Sequence, residues 1–335
     1  MSVSQGRLNA TGVYDFRGVE SRWQGAWDKE RASETSTAAD ASLGTYYVLQ
    51  SPPFPSEHPL SGHLKSASFA DALTQYHRSR GRHVLTDCAQ RTFDDVRAPD
   101  LPKNLEDLHS HIASQAEGVE LIFACRRIDE ARHLTKTLAR TGLTTAKEPY
   151  MRAFALGTVD GDGHVPVTDA GTYIDRYGAD TVRCFMIFMG PHDHDLHFSD
   201  GQIGGVHRFL SRLWRLAHDL APQTVPQPSS PMGADLELLR RAHQTMDHVT
   251  EAMEGELRLH MVIAAIMGLV RESIRVRDRV HGATIRFAIQ TAARLLFPFA
   301  PYCAADVYHQ LTSERVWEDP WPVADPILMG GRGAR

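Results

Sequence analysis

The sequence predicts an α/β fold in which a parallel sheet is followed by an antiparallel α-helical bundle. One observation is a strand–helix–strand pattern between residues 45 and 86, because two parallel strands need a crossover between them. The other is a change of pattern beyond residue 172, where successive segments carry apolar residues at helical spacing.

The first elements in chain order are a helix and a βαβ unit. Residues 13–30 predict an amphipathic helix, and TYYVLQ (45–50) and HVLT (83–86) predict short strands. The helix between these strands is predicted to end at Gly81. The apolar residues at helical spacing are Phe16, Val19, Trp23 and Trp27 in the first helix, and Phe69, Leu73 and Tyr76 in the second.

The rest of the N-terminal half continues the alternation of helices and strands. The further predicted elements are an exposed helix at 101–118, a strand at 119–125, a helix at 126–142 and a strand near the end of 147–159. Together with the first βαβ unit they predict one compact α/β layer.

The C-terminal half predicts the helical bundle. One buried stripe is formed by Leu259, Ile263, Ile266, Val270 and Ile274. The predicted division is a sheet domain at 1–190, a connecting loop and first helix at 191–222, the bundle at 223–330 and a disordered tail at 331–335, with a Pro-rich connection at 221–233.

Composition limits the classes of protein. The chain has 335 residues and 42% hydrophobic residues, as expected of a globular protein. Its formal net charge of -5 gives no overall attraction to nucleic acid, so any such binding must use a local patch. Its four cysteines form no CxxC pair, which argues against a zinc knuckle or a disulfide framework. No apolar run reaches membrane-spanning length and the N-terminus carries no signal-peptide pattern, so we expect a cytoplasmic protein.

PSEHPLSGH (55–63) lies between the first strand and the helix that follows it. Backbone N–H groups at such a helix N-terminus often hold phosphate. This position is therefore the first place to look for a ligand site.

Several segments, in order along most of the chain, together resemble the leucyl type of class I aminoacyl-tRNA synthetase. They are YDFRGVESRWQGAWDKE, PPFPSEHPLSGH with ADALTQYHRSRGRHVL, KEPYMRAFALGTV, IDRYGADTVRCFMIFMGP, VHRFLSRLWRLA, FPFAPYCAADVYHQL and WEDPWP. The resemblance implies a Rossmann-like doubly wound parallel sheet that binds ATP, and a bundle resembling the anticodon-binding domain.

The first signature of that family, His-x-Gly-His, is only half present. Gly62 and His63 match it, but Leu60 occupies the first histidine position and cannot donate a hydrogen bond to a phosphate. His58 is the candidate substitute, although Pro59 restricts its backbone. His58 and His63 are therefore the candidate phosphate contacts, and His63 is the candidate catalytic base or donor. A residual helix cap with no chemistry is the alternative role of His63.

The other signatures of the family have changed more. The lysine-rich second signature corresponds to GDGHVPVTDAG (161–171), which has acids and no lysine. Arg91 stands where the family has an acid that holds the substrate amino group, so a carboxylate would be attracted there. About twenty residues, 99–118, replace the editing insertion. The candidate pocket is bounded by Phe54, Ser56, Gly62, His63 and Arg91.

GPHDHDLHFSD (190–200) places His192, His194 and His197 among acids. This spacing is compatible with a zinc or other divalent metal site. A solvated surface loop without metal is the alternative.

Two sets of arginines recur at helical spacing. Arg208, Arg212 and Arg215 form one stripe, and Arg271, Arg275 and Arg279 form a second. Because the family's bundle binds tRNA, both stripes are candidate phosphate contacts. A solvated face with salt bridges is the alternative. In DRYGADTVR, Gly178 and Asp180 predict a turn and a cap that open a helix, and Trp23 and Trp214 are predicted core residues.

Three functions remain open. The first is a synthetase paralogue repurposed for non-standard aminoacyl transfer or condensation of an amino acid or aminoacyl small molecule, with or without tRNA. The second is ATP-dependent leucine–tRNA ligase-like activity, and only this one implies ATP and Mg as cofactors. The third is a non-catalytic module that binds tRNA or a protein partner. The oligomeric state is left open.

Overall fold

The computed structural model describes residues 12–30, 45–50, 61–86, 118–124, 136, 140, 152–156, 159–161, 170–198, 200–221 and 231–329. Within these residues the chain divides by its contacts into two units. We call them the helical unit (Met1–Ala26, Gly171–Phe188 and Asp200–Arg335) and the sheet unit (Trp27–Ala170 and Met189–Ser199). No helix in the described part of the chain is both long and apolar enough to cross a membrane.

Within the residues that the structure describes, the strands of the sheet unit form a four-stranded parallel sheet and a separate parallel pair. The strands of the sheet are β1 (Thr45–Gln50), β2 (His83–Thr86), β3 (Gly118–Ala124) and β4 (Arg152–Leu156), in the order β2-β1-β3-β4. The pair consists of β5 (Val159–Gly161) and β6 (Leu196–Phe198). The register places Tyr46 opposite both Val84 and Gly118, so β1 is a central strand.

The predicted βαβ unit at residues 45–86 is confirmed. Helix α2 (Ser61–Ser79) packs on β1, β2 and β3, and its apolar face at Phe69, Leu73 and Tyr76 is buried as predicted. The predicted helix at 101–118 lies outside the described residues except for its last position, Gly118, where β3 begins. Of the predicted helix at 126–142 only residues 136 and 140 are described, and both are helical.

The helices outside the sheet unit form a bundle that includes the N-terminal helix. They are α1 (Phe16–Glu30), whose residues up to Ala26 belong to this unit, α3 (Ala170–Tyr177), α4 (Ala179–Phe188), α5 (Asp200–Leu220), α6 (Ala234–Glu254), α7 (Leu259–Val276), α8 (Gly282–Leu296) and α9 (Pro301–Thr312). The main contacts join α6 with α7 and α8, α8 with α9, and α9 with α5. Leu259, Ile263, Ile266 and Val270 are buried in this core as predicted.

The buried stripe of α7 does not end as predicted. Ile274 is 42% exposed, whereas Ser273 and Val276 are buried. The reason is the helical period of 3.6 residues, which moves the buried face away from a strict four-residue step. Trp23 and Trp214 are buried core residues, as the sequence predicts.

The contact-defined units differ from the predicted domain bounds. The segments 16–26 and 171–188 precede residue 190 in sequence but belong with the bundle, and residues 189–199 belong with the sheet. Residues 196–198, predicted as part of a connecting loop, form β6 instead. Local sequence could not indicate these long-range assignments, because they depend on packing partners far along the chain.

Gly178 and Asp180 form a turn at the start of α4, but Asp180 does not cap its own helix. Gly178 has a φ of 87°, and a Cβ there would lie 2.7 Å from Oε1 of Glu20. The Glu20 carboxylate accepts the Ala179 N–H at 2.7 Å, whereas the Asp180 carboxylate accepts the Cys303 N–H of α9 at 2.6 Å. The predicted cap therefore belongs to a neighbouring helix.

Arg286 of α8 joins the ends of two other helices. Its Nη1 donates to the carbonyl oxygen of Leu311 in α9 at 2.8 Å, and its Nη2 donates to that of Leu220 in α5 at 2.7 Å. A cation is favourable at a helix C-terminus, where carbonyl oxygens lack intrahelical partners. This guanidinium serves two such ends at once.

Candidate functional site

Helix α2 begins at the position that the sequence predicts, with ten residues between it and the end of strand β1. Ser61, Gly62 and His63 form its first turn, after β1. In the order β2-β1-β3-β4 the chain adds β2 on one side of β1 and β3 on the other, so the topological switch point lies between β1 and β3. Ligands of open α/β sheets bind at the carboxyl ends of the strands at such a point. The sheet topology therefore favours the same position as the sequence.

Most of the predicted pocket lies outside the described residues. This holds for Phe54, Ser56, His58, Leu60 and Arg91 and for the segment 162–169. For Gly62 and His63 the structure gives the backbone in the first turn of α2. The roles assigned to these residues stay predictions.

Lys65 is a buried residue of α2 that the sequence analysis did not single out. Its side chain is almost fully inaccessible, and its Nζ donates to the carbonyl oxygen of His192 at 3.1 Å. Burial lowers the pKa of Lys65 to about 8, while the charges of Asp195 and Asp193 act in the opposite direction. A signal was available, because Lys65 shares a helical face with Phe69 and Leu73.

The histidine-rich loop lies against α2 through this lysine. The ring of His192 is 6.3 Å from that of Phe69, while His194 and His197 are exposed. Within the described residues, which include all three histidines, no group of three or more His, Cys, Asp or Glu side chains could hold a metal ion. The predicted ligand set is therefore not formed, because His197 lies on strand β6 and His192 turns toward α2.

The residues of the first arginine stripe are exposed. Arg208, Arg212 and Arg215 lie on the solvent face of α5, whose opposite face buries Leu213 and Trp214. In the part of the chain that the structure describes, none of the three side chains makes a hydrogen bond or ion pair. Three unneutralised guanidinium groups on one helix face can contact an anionic polymer.

The second stripe is shorter and partly neutralised. Arg275 binds Glu272 with two hydrogen bonds, at 2.8 and 2.5 Å. Arg279 lies beyond the end of α7, in the 3-10 turn Arg277–Arg279, so it does not continue the helical face. Arg271 is exposed on α7. The predicted three-residue helical stripe is thus reduced to two positions, one of them already paired.

Comparison with known proteins shows similarity to tRNA ligases. Residues 235–330, which include α7 to α9 and all but the first residue of α6, match the family described as the anticodon-binding domain of tRNA ligase. The fold also resembles methionyl-tRNA synthetase of Mycobacterium tuberculosis, with a TM-score of 0.58 and 14% identity over 79% of this chain and 91% of that one. The helical unit therefore contains a segment similar to the anticodon-binding domain of tRNA ligases.

More particular similarity is to the leucyl type. The chain is 36% identical over 214 residues to leucine–tRNA ligase of Geobacter sp. (strain M21), covering 59% of this chain and 26% of the relative. It also resembles the LeuRS of Agrobacterium radiobacter K84 in a ternary complex with tRNA and LeuAMS, with a TM-score of 0.56 and 21% identity over 63% of this chain and 30% of that one. These similarities confirm the predicted resemblance to the leucyl type of class I aminoacyl-tRNA synthetase. It spans about a quarter of the length of the curated relatives it matches.

Proposed function

We propose that this protein is a leucyl-tRNA synthetase-like paralogue that binds tRNA through its helical unit and performs a non-standard aminoacyl transfer or condensation. The observation that carries the tRNA proposal is the exposed arginine stripe of α5, which precedes a segment that matches an anticodon-binding domain. Standard leucine adenylation with ATP and Mg is the second candidate, and a non-catalytic module that binds tRNA or a protein is the third.

The charge of the α5 stripe supports tRNA as partner. The protein as a whole carries a net charge of -5, so attraction to a polyanion must be local. Arg208, Arg212 and Arg215 extend along about 10 Å of helix axis at 1.5 Å per residue. Guanidinium groups that pair with phosphates release counterions, and this makes binding strongly salt-dependent.

The sheet unit supports a small-molecule site with altered chemistry. We infer that its parallel sheet is the core of a Rossmann-like, nucleotide-binding-type domain whose site lies at the start of α2. The family's phosphate-binding groups are replaced by Leu60 and by an acidic segment without lysine, and Asp193 and Asp195 lie in the loop that Lys65 holds against α2. Such acids oppose a triphosphate at close range. An amino acid or aminoacyl group bound at Gly62, His63 and Arg91 fits these replacements better than ATP does.

The first test is leucine-dependent exchange between ATP and pyrophosphate. We expect no exchange, because stabilisation of transition-state charge is usually the largest catalytic contribution and its donors have been replaced. A robust exchange activity would establish the second candidate and overturn the proposed one. If a transfer activity is found, His63→Ala should abolish it while leaving the unfolding curve unchanged.

The second test is tRNA binding as a function of salt. We expect measurable binding at low salt, and the double variant Arg212→Gln/Arg215→Gln should reduce the slope of log K against log salt by roughly 2. The matched control is Arg17→Gln/Arg258→Gln, which removes the same charge from side chains that already bind the Asp175 carbonyl oxygen and the Glu256 carboxylate. Absence of binding at low salt would reject the tRNA proposal, and equal effects of both doubles would reject the α5 stripe as its site.

A further inference from the structure

Glu20, Asp180 and Asp306 connect the helices of the helical unit through their carboxylates. The first connection runs from α1 to α4. Oε1 of Glu20 accepts the Ala179 N–H at 2.7 Å, in the first turn of α4. Gly178 has a positive φ and no Cβ, and this leaves room for the Glu20 carboxylate.

The second connection runs from α4 to α9. Asp180 is almost fully buried, and its Oδ2 accepts the Cys303 N–H at 2.6 Å. In the described part of the chain its other oxygen, Oδ1, has no hydrogen-bond partner. A buried carboxylate oxygen without a donor is costly when charged and can carry a proton when neutral.

The third connection returns from α9 to α1. Asp306 accepts hydrogen bonds from Trp23 Nε1 of α1 at 3.0 Å and from Trp214 Nε1 of α5 at 2.7 Å, and Arg22 of α1 also pairs with it. Because Arg22 supplies a cation, Asp306 is compensated. In the described part of the chain neither Glu20 nor Asp180 forms an ion pair, so the three carboxylates are unevenly compensated.

The other ionisable groups around Asp180 include one cation, Arg183, whose charge opposes the rise in the pKa of Asp180. The neighbours of Asp180 are Tyr14 from the N-terminal segment, Arg183 and Cys184 from α4, and Cys303 from α9. Arg183 is the cation among them, and its Nη2 donates to the Pro298 carbonyl oxygen at 3.3 Å. His207 of α5 lies beyond Tyr14, with 6.4 Å between the rings, and hydrogen-bonds the Tyr177 carbonyl oxygen.

We propose that Glu20 and Asp180 form a proton-dependent latch, the carboxylate latch, which holds α1 and the first turns of α4 and α9 together most firmly when the pair is protonated. Each carboxyl group accepts the hydrogen bond that joins two helices. Glu20 binds the N–H of Ala179, and Asp180 is the next residue of α4. Loss of the last proton leaves two like charges that repel each other, one on the buried Asp180 and one on the half-buried Glu20. The latch is then weakened at both helix starts.

The direction of the pH dependence follows from the pKa values. Burial raises the pKa of Glu20 from 4.5 to about 7, and burial together with the charge of Glu20 raises the pKa of Asp180 from 3.8 to about 7. Between about pH 4 and pH 7 the folded protein keeps protons that the unfolded chain has lost, so stability falls as pH rises. Above the folded-state pKa values both states are deprotonated, and the latch contribution becomes constant.

The test is hydrogen exchange at the two amides that the latch holds, those of Ala179 and Cys303. After correction for intrinsic exchange, we expect their protection factors to fall by roughly tenfold or more between pH 5.5 and pH 7.5, because each proton difference changes the opening equilibrium tenfold per pH unit. Glu20→Gln and Asp180→Asn keep an acceptor but cannot ionise. Both should flatten this fall and be better protected than the wild type at pH 8.

Asp15→Asn is the matched control, because Asp15 accepts the Gly18 N–H at 3.2 Å at the exposed start of α1 and lies outside the latch. It should keep the wild-type pH profile. Glu20→Asp keeps an ionisable group with shorter reach and should retain a pH dependence at lower protection. If a variant does not fold, the wild-type pH profile alone tests the proposal, because protection that is flat from pH 5.5 to pH 7.5 overturns it. A fall in protection that persists in the Glu20→Gln/Asp180→Asn double variant also overturns it.

Discussion

Asp306 is a single buried carboxylate that receives two indole N–H groups, a guanidinium and the amide of Gln310, whose Nε2 lies 3.0 Å from Oδ2. Tryptophan has one donor and no acceptor, so each buried indole needs such a partner. Trp23 and Trp214 come from helices far apart in sequence. The Asp306 side chain of α9 is therefore the hydrogen-bond acceptor for both indole N–H groups.

We predict that Asp306→Ala lowers the free energy of unfolding by about 3 kcal/mol or more, because it leaves two indole donors and Arg22 without their acceptor. Asp306→Asn should cost less, about 1–2 kcal/mol, since one oxygen still accepts. Urea unfolding measures both. The control is Asp219→Ala, which breaks the exposed pair with Arg277 and should cost less than about 1 kcal/mol. Equal costs at the two positions would show that Asp306 is not the organising acceptor.

At the scale of elements, the segment after α9 lies along the bundle. We call residues 313–329 the C-terminal strap. Trp321 Nε1 donates to Thr250 Oγ1 of α6 at 2.9 Å, and the ring of Trp317 stacks on Phe297 at 6.3 Å. The Asp325 N–H donates to Nδ1 of His243 at 3.0 Å. This last bond requires the His243 tautomer whose proton is on Nε2.

The strap bond to His243 should be lost in acid. Burial lowers the pKa of His243 below 6.5, so as pH falls through 6.5 the released state takes up a proton more readily than the bound one. We expect exchange protection at the Asp325 amide to fall by up to roughly tenfold per pH unit below that point. His243→Gln keeps an acceptor and should remove the dependence, whereas His248→Gln, at an exposed position of the same helix, should not. Acid-independent protection in the wild type would contradict this role of His243.

At the scale of the whole molecule, each unit has its own buried core. Leu73 is fully buried in the sheet unit and Ile263 in the helical unit. Units with separate cores generally unfold separately. We therefore expect calorimetry to resolve two transitions.

Leu73→Ala should shift one transition and Ile263→Ala the other, each by the equivalent of about 2–5 kcal/mol. A single transition that both variants lower equally would mean that the chain unfolds as one cooperative unit.

The sequence predicted what depends on local pattern. The βαβ unit at residues 45–86, the buried face of α2 and most of the stripe of α7 follow from apolar spacing and from Gly81, and the structure confirms them. The non-contiguous units, the cap that Asp180 provides to α9 and the end of the stripe before Ile274 depend on partners far along the chain. No single-residue pattern encodes them.

The candidate site was predicted more coarsely than the fold. The position at the start of α2 agrees with the sheet topology, while the roles of His63 and Arg91 stay predictions. Lys65 was missed because charge argues against burial, although its place on the apolar face of α2 indicated it. The exposed arginines of α5 were found because a charged stripe at helical spacing needs no long-range information.

The Arg286 guanidinium constrains the length of two helices that are far apart in sequence, because it binds a carbonyl oxygen near the C-terminal end of each. Because its two nitrogens reach the final carbonyl of α5 and a late carbonyl of α9, an inserted or deleted residue in either helix would rotate one oxygen out of reach. Neither α5 nor α9 can therefore gain or lose a residue before this carbonyl without losing its bond to Arg286. This shared constraint should make both helices intolerant of insertions even at positions that face solvent.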